Sequence, residues 1–177
     1  MTTLQRWAHT AAMALGMWAA AVPLAALADS KNLQPRNELK IYKEECGSCH
    51  LAYPPGLLPA ASWKRMMGSL NVHYGTDASL DAATVQQIST WLQSNAGSYK
   101  RVSAQDKPPE DRITRSAWFE RKHSDINTPK VWQHASVKSA ANCAACHTTA
   151  DKGNFSEKSL QFPKGLDARF RPAFQDD

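Results

Sequence analysis

The sequence predicts a mainly α-helical fold with extensive loops, arranged as two halves. Three observations carry this expectation. Apolar residues recur at helical spacing in several short windows, and no run alternates apolar with polar residues as a strand would. Prolines and glycines gather between those windows. The pattern Cys-x-x-Cys-His occurs twice, at Cys46 to His50 and at Cys143 to His147, once in each half.

The N-terminus is set apart from the fold. Arg6 precedes an uncharged apolar run, "AAMALGMWAAAVPLAALA" (Ala11 to Ala28), which ends on Ala26-Leu27-Ala28 and gives way to polar "DSKN". A basic start, an apolar middle and a small-x-small end predict a secretory signal peptide over residues 1–28. An uncleaved anchor is the rival reading, and Pro23, the alanine content and the cleavage signal favour removal. No later segment is apolar enough to cross a bilayer, so no stable membrane insertion is expected after cleavage. The formal charge of the chain is +5. Charges of both signs are interspersed, which reads as a solvated surface and does not call for nucleic acid.

The remaining elements follow in order. "NELKIYKEECGSC" (Asn37 to Cys49) predicts a helix capped by Asn37, with Leu39, Tyr42 and Cys46 on one side. "LAYPPGLLPAAS" (Leu51 to Ser62) predicts a loop. In "ASWKRMMGSLNVHYG" (Ala61 to Gly75), Met66, Leu70 and His73 share a helical stripe. "SLDAATVQQISTWLQSNAG" (Ser79 to Gly97) is the clearest helix, capped by Asp81, striped by Val85, Ile88, Trp91 and Leu92, and ended by Gly97. "SYKRVSAQDKPPEDR" (Ser98 to Arg112) reads as a linker or crossing segment, which divides the exported chain into residues 29–98 and 99–177. In "SAWFERKHSDI" (Ser116 to Ile126), Phe119, His123 and Ile126 again share a face, with Trp118 beside them. The tail from Phe162 shows little periodicity; Phe162, Phe170 and Phe174 are its apolar content.

The two motifs consume every cysteine in the chain: Cys46, Cys49, Cys143 and Cys146. Exported disulfides or a four-cysteine zinc site would use such pairs. Neither needs a histidine directly after the second cysteine of both. Covalent haem does: two thiols three positions apart add to the two vinyl groups of one porphyrin, and the adjacent histidine lies beneath the iron. Two haem c groups are therefore expected, with His50 and His147 as proximal ligands. Such haem is joined to the chain outside the bacterial cytoplasm, which agrees with export and predicts a periplasmic protein.

Each iron has a second axial position to fill. The candidates left after removal of the leader are His73, His123, His134, Met66 and Met67. The reading favours His73 for the first haem, with both methionines as packing, and His123 over His134 for the second. Two bis-histidine irons would have lower potentials than a histidine–methionine cytochrome and no vacant position for a substrate. That describes an electron carrier and not an enzyme. The alternative is a dihaem enzyme of the peroxidase or nitrite-reducing type, in which one ligand is displaceable; a sensing or storage module would need the same vacancy.

Four segments carry a family resemblance: "ECGSCHLAYPPGLLPAASW", "HYGTDASLD", "RITRSAWFERKH" and "VKSAANCAACHTTADKGNF". Together they resemble the bacterial dihaem cytochrome c family. The resemblance implies an N-terminal half similar to class I cytochromes c and an unusual C-terminal half. It implies bis-histidine ligation, with His50 and His147 proximal and His73 and His123 distal. It also implies redox partners: a small oxygen-binding monohaem c-type cytochrome as acceptor and a membrane b-type cytochrome, fed from quinol, as donor.

Overall fold

The computed structural model describes residues 33–35, 37–97 and 101–175. The expected leader, residues 1–28, and the boundary expected between residues 98 and 99 lie outside the described residues. Among the described residues there is no strand, only isolated bridges such as Pro59–Gly97, His73–Thr76 and His147–Leu160. Nor is any helix there long and apolar enough to cross a membrane. The fold is mainly helical with long loops, as the sequence predicts.

Helix α1 (Lys40–Gly47) is shorter than expected. Leu39, not Asn37, sits at its N-cap and supplies no side-chain bond. The backbone of Asn37 is used differently, since Trp91 Nε1–H donates to its carbonyl at 2.7 Å. Tyr42 anchors the helix: its ring is buried, packs on Trp91 at 5.0 Å, and its hydroxyl donates to Tyr53 O at 2.7 Å.

Helix α2 (Ala60–Met67) begins after Pro59 and ends at Gly68. Trp63 is buried, and its Nε1–H donates to Pro55 O at 2.8 Å, so a large apolar ring and its one donor are both satisfied. Helix α3 (Ala82–Ser94) starts as predicted: Asp81 Oδ1 accepts from the backbone N–H groups of Ala83 and Thr84, both at 3.0 Å. Its stripe places Ile88 and Leu92 in the interior with Tyr42, Leu58, Trp63 and Met67. Burying each of these aliphatic side chains contributes about 1.5–3 kcal/mol.

Gly97 does not end α3, which stops at Ser94. It is glycine for a packing reason. A Cβ there would fall 2.7 Å from both Gly56 O and Val102 Cβ. The bare backbone instead closes a bond from Gly97 N–H to Leu58 O at 2.9 Å, which fastens the loop after α3 onto the first half's core.

The second half has only short helices, α4 (Ala117–Lys122) and α5 (Pro129–Trp132), joined by single turns and a tight Ala168–Phe174 segment. Ser116 Oγ accepts from Phe119 N–H and Thr128 Oγ1 from Lys130 N–H, so both helices are capped by side chains. The cluster in this half is small: Ile126, Val131 and Leu166 under Trp132, Phe162, Phe170 and Phe174. The tail thus has a packing role that its weak periodicity did not signal.

The segment before Arg112 is pinned rather than free. Asp111 takes a two-pronged ion pair from Arg65 at 2.6 and 2.9 Å, and Glu110 O accepts from the Tyr74 hydroxyl at 3.0 Å. Ile113 packs against the first half's core.

Candidate metal centres

The first motif starts inside a helix. Cys46 occupies the last turn of α1, half-buried against the core, and the chain leaves through Ser48 and the exposed Cys49 to His50. His50 Nδ1 lies 2.7 Å from Leu51 O. A carbonyl only accepts, so Nδ1 carries the proton and Nε2 keeps its lone pair for a metal. Leu51, in the loop after the motif, is therefore the carbonyl that holds this ring.

The His73 ring faces that of His50, with centroids 6.1 Å apart and planes 21° apart. His73 does not reach this place along a helical stripe. Helix α2 ends at Met67, a single turn follows over Leu70–Val72, and His73 comes directly after it. Met67 is buried in the core and Met66 packs beside it. Burial, and then the charges of His50 and Arg112, lower the pKa of His73 and favour its neutral, ligating form. The next residue, Tyr74, has φ +49° and lies under the Arg112 guanidinium at 4.1 Å. That left-handed backbone is costly for a bulky residue, and the contacts to Glu110 and Arg112 hold it.

The second motif is a single turn, Cys143–Ala145, with His147 N–H donating to Cys143 O at 2.8 Å. Gln161 N–H donates to Cys146 O at 2.7 Å and ties the motif to the tail. The His123 ring faces His147 at 6.2 Å, with planes 76° apart. His123 follows the end of α4. Its ring stacks on Phe119 at 4.0 Å, and its Nδ1–H donates to Phe119 O at 2.9 Å, again leaving Nε2 with the lone pair.

His134 is oriented the other way. Its Nδ1 accepts from Ser136 N–H at 3.3 Å, so in the neutral ring the proton sits on Nε2. That edge of the ring lies by Gly165, where a Cβ would be 3.9 Å from Nε2.

Two further observations test whether these residues fit haem. A metal–nitrogen bond of roughly 2.0 Å on each side, plus roughly 1.1 Å to each ring centre, separates two axial imidazoles by about 6.2 Å. The two facing pairs match that span. His147 Nδ1 is buried and has no hydrogen-bond partner within the described chain. Iron would take the opposite nitrogen, Nε2, so this Nδ1 carries its cost of about 1–3 kcal/mol with or without haem. Burial, with a smaller contribution from His123, brings the His147 pKa down to about 4, so this ring is neutral at physiological pH.

The cysteines are chemically ready. None of the four is paired in a disulfide, and before attachment burial pushes the thiols of Cys46, Cys143 and Cys146 up to about 11. Protonated thiols carry the hydrogen that adds, with sulfur, across a vinyl double bond. The second site also opens on a cavity of about 1010 Å³, lined by both cysteines, both histidines, Trp118 and Phe155 among others. Among the described residues, no three His, Cys, Asp or Glu side chains converge as a zinc site would require. The residues fit haem.

A helical chain with two Cys-x-x-Cys-His attachment motifs, each beside a facing pair of histidines, defines a c-type cytochrome with two haem sites. The dihaem cytochrome c family model matches residues 42–155, and the chain belongs to that family. It binds two haem c groups. The diheme cytochrome c from Rhodobacter sphaeroides is 43% identical over 65% of this chain and 94% of its own, with a TM-score of 0.57. A diheme c-type cytochrome from Shewanella baltica OS155 is 37% identical over 72% of this chain and 97% of its own, with a TM-score of 0.60. No curated protein matches.

Phe119 stacks on His123, as their shared face implied, while two supporting groups were missed by sequence reasoning: Phe155, edge-on to His147 at 5.4 Å, and Tyr53, stacked on His50 at 5.0 Å. Phe119 shares a helical stripe with His123, which was a usable signal; Tyr53 and Phe155 lie in loops with no periodicity to read.

Proposed function

We propose that this protein is an electron carrier whose two irons are each held between two histidines: His50 with His73, and His123 with His147. The observation that carries the reading is the pair of facing imidazoles at 6.1 and 6.2 Å. When bound, haem supplies an iron that changes by one electron between ferrous and ferric. The chain's part is to hold each ring by a carbonyl or an aromatic face, to exclude water, and to leave no axial position for a substrate. Cys46 and Cys49 attach the first haem, and Cys143 and Cys146 the second. The orientation of His123 Nε2, against that of His134, supports His123 as the distal ligand.

The leader-like residues 1–28 support export to the periplasm. There the protein would take electrons from a membrane b-type cytochrome fed by quinol and pass them to a small oxygen-binding c-type cytochrome. Such redox partners bind through small, transient interfaces.

The test replaces His73, His123 and His134 by Met, one at a time. Near-infrared spectra of the oxidised protein should gain a histidine–methionine charge-transfer band in the His73 and His123 variants and stay unchanged in the His134 variant. Prompt binding of carbon monoxide to the reduced, unmodified protein would instead establish an open site and favour a dihaem enzyme.

A further inference from the structure

The cavity beside Cys143, Cys146 and His147 is lined by apolar rings and also by charge. Four basic side chains, Arg101, Lys122, Lys158 and Arg169, face it with two acidic ones, Asp125 and Glu157. Burial favours the neutral form of both His123 and His147, so the lining holds more positive than negative charge. A haem has the complementary shape: an apolar ring with two propionates on its rim, both negative at neutral pH. A carboxylate taken from water without a partner is costly, whereas one met by a cation through hydrogen bonds is well held.

The surroundings of each cation decide which ones serve. Lys122 faces Glu157 at 3.9 Å, and Arg101 also has a partner within the chain. Lys158 and Arg169 belong to the C-terminal tail. Among the described residues the Lys158 ammonium is in no ion pair. Arg169 meets Asp167 at 3.2 Å through Nε, and a guanidinium has donors enough for a second carboxylate.

Both side chains are fixed next to the segments that follow the facing histidines. Lys158 stands in the turn Glu157–Ser159. Ser159 O accepts from Thr148 N–H at 3.3 Å and from the Thr148 hydroxyl at 2.9 Å, one residue past His147. The Ala168–Phe174 segment that carries Arg169 packs on the turn Ser124–Ile126, directly after His123. Asp167 Oδ1 accepts from Arg169 N–H at 3.0 Å. The Arg169 guanidinium lies over the Phe170 ring at 4.8 Å, and that ring packs on the cluster containing Ile126.

We propose that Lys158 and Arg169 hold the propionates of the second haem, so that the C-terminal tail forms the acid-binding end of that site. Both residues lie outside residues 42–155, the part of the chain that the family model matches. The proposal needs haem at the second site and goes beyond the electron-carrier reading, since it holds whether the iron carries electrons or turns over a substrate.

The experiment uses haem-loaded Lys158→Gln and Arg169→Gln, with Lys164→Gln as a control, an exposed tail lysine that does not line the cavity. Resonance Raman spectra read propionate hydrogen bonding through the propionate bending modes, and optical redox titration gives the two potentials. Loss of a cation leaves propionate charge unbalanced, which favours ferric iron. In both variants the bending modes should shift. One potential should fall, by roughly a two- to tenfold change in the ferrous-to-ferric ratio at that haem. The other potential, and both potentials of the control, should stay as in the unmodified protein. Arg169→Lys keeps the charge and loses the fork, so the potential should recover while the modes stay displaced. Unshifted modes in one variant would strike that residue from the site, and in both would overturn the proposal. A potential that falls with unshifted modes counts against it too, because long-range charge alone explains that result. Arg169 is about half exposed, so its replacement leaves the fold intact; should Arg169→Gln not load the second haem, the modes of Arg169→Lys decide.

Discussion

The imidazoles of His123 and His147 face each other nearly at right angles, 76° apart, whereas those of His50 and His73 lie within 21° of parallel. Ligand-plane angle controls how far two iron d orbitals are split. Parallel planes act on the same orbital and separate the pair; perpendicular planes act on both and leave them close. Electron paramagnetic resonance of the oxidised protein should therefore show two distinct low-spin signals, one rhombic and one strongly axial with a large g value. Two matching rhombic signals, or a high-spin ferric signal, would contradict the proposed bis-histidine ligation.

The second half has little apolar core of its own. Ile126, Val131 and Leu166 form its cluster, and Trp132, Phe170 and Phe174 around it also line the cavity. A core of this size rarely sustains a fold unaided. Chain made without haem attachment is expected to lack a cooperative unfolding transition by circular dichroism. A cooperative, native-like transition in that material would show the polypeptide to be self-sufficient.

Arg65 grips Asp111 through two nitrogens, and that hydrogen bonding is the main reason the Asp111 pKa lies below the ordinary carboxylate range. A value lowered by folding means that the stabilisation is present above the unfolded pKa, roughly 3.9, and is lost as pH falls through the folded one. Because Arg65 is about half exposed, the pair contributes only about 0.5–1 kcal/mol. Asp111→Asn should lower stability by that amount at pH 7, with the gap to the unmodified protein closing as the pH is taken below about 4. Asn tolerates the φ of +54° at this position, so the backbone does not confound the comparison. Denaturant titration of the haem-loaded proteins at both pH values is the measurement.

Lys138 adopts φ +70° with an exposed side chain, just before the second motif. A non-glycine residue there carries about 1–2 kcal/mol of backbone strain. Lys138→Gly removes the strain and keeps the bond from residue 138 N–H to His134 O, at 2.7 Å in the native chain. After the entropy cost of glycine, a gain of about 0.5–1 kcal/mol is expected. A loss of thermal stability would mean that the lysine side chain matters more than its backbone.

The elements read most securely from sequence are those whose cause is local. Asp81 caps α3 because an oxygen two or three residues ahead of unbonded N–H groups needs nothing else from the fold. Asn37 looked equally suited to α1, yet its carbonyl is taken by Trp91, 54 residues away. His123 keeps the contact with Phe119 that its helical stripe implied, whereas His73 was named for a stripe that the chain does not build. His73 comes after a further turn, Leu70–Val72, and His123 directly at the end of α4.

The sequence by itself determined that there are two haem sites and which residues attach them, because thioether attachment requires only five consecutive positions. Tertiary structure decided which histidine faces which, at what angle, and how the halves touch. Those relations join residues far apart in the chain, as Tyr53 and Ala141 are, and only the packed fold brings such groups within bonding distance.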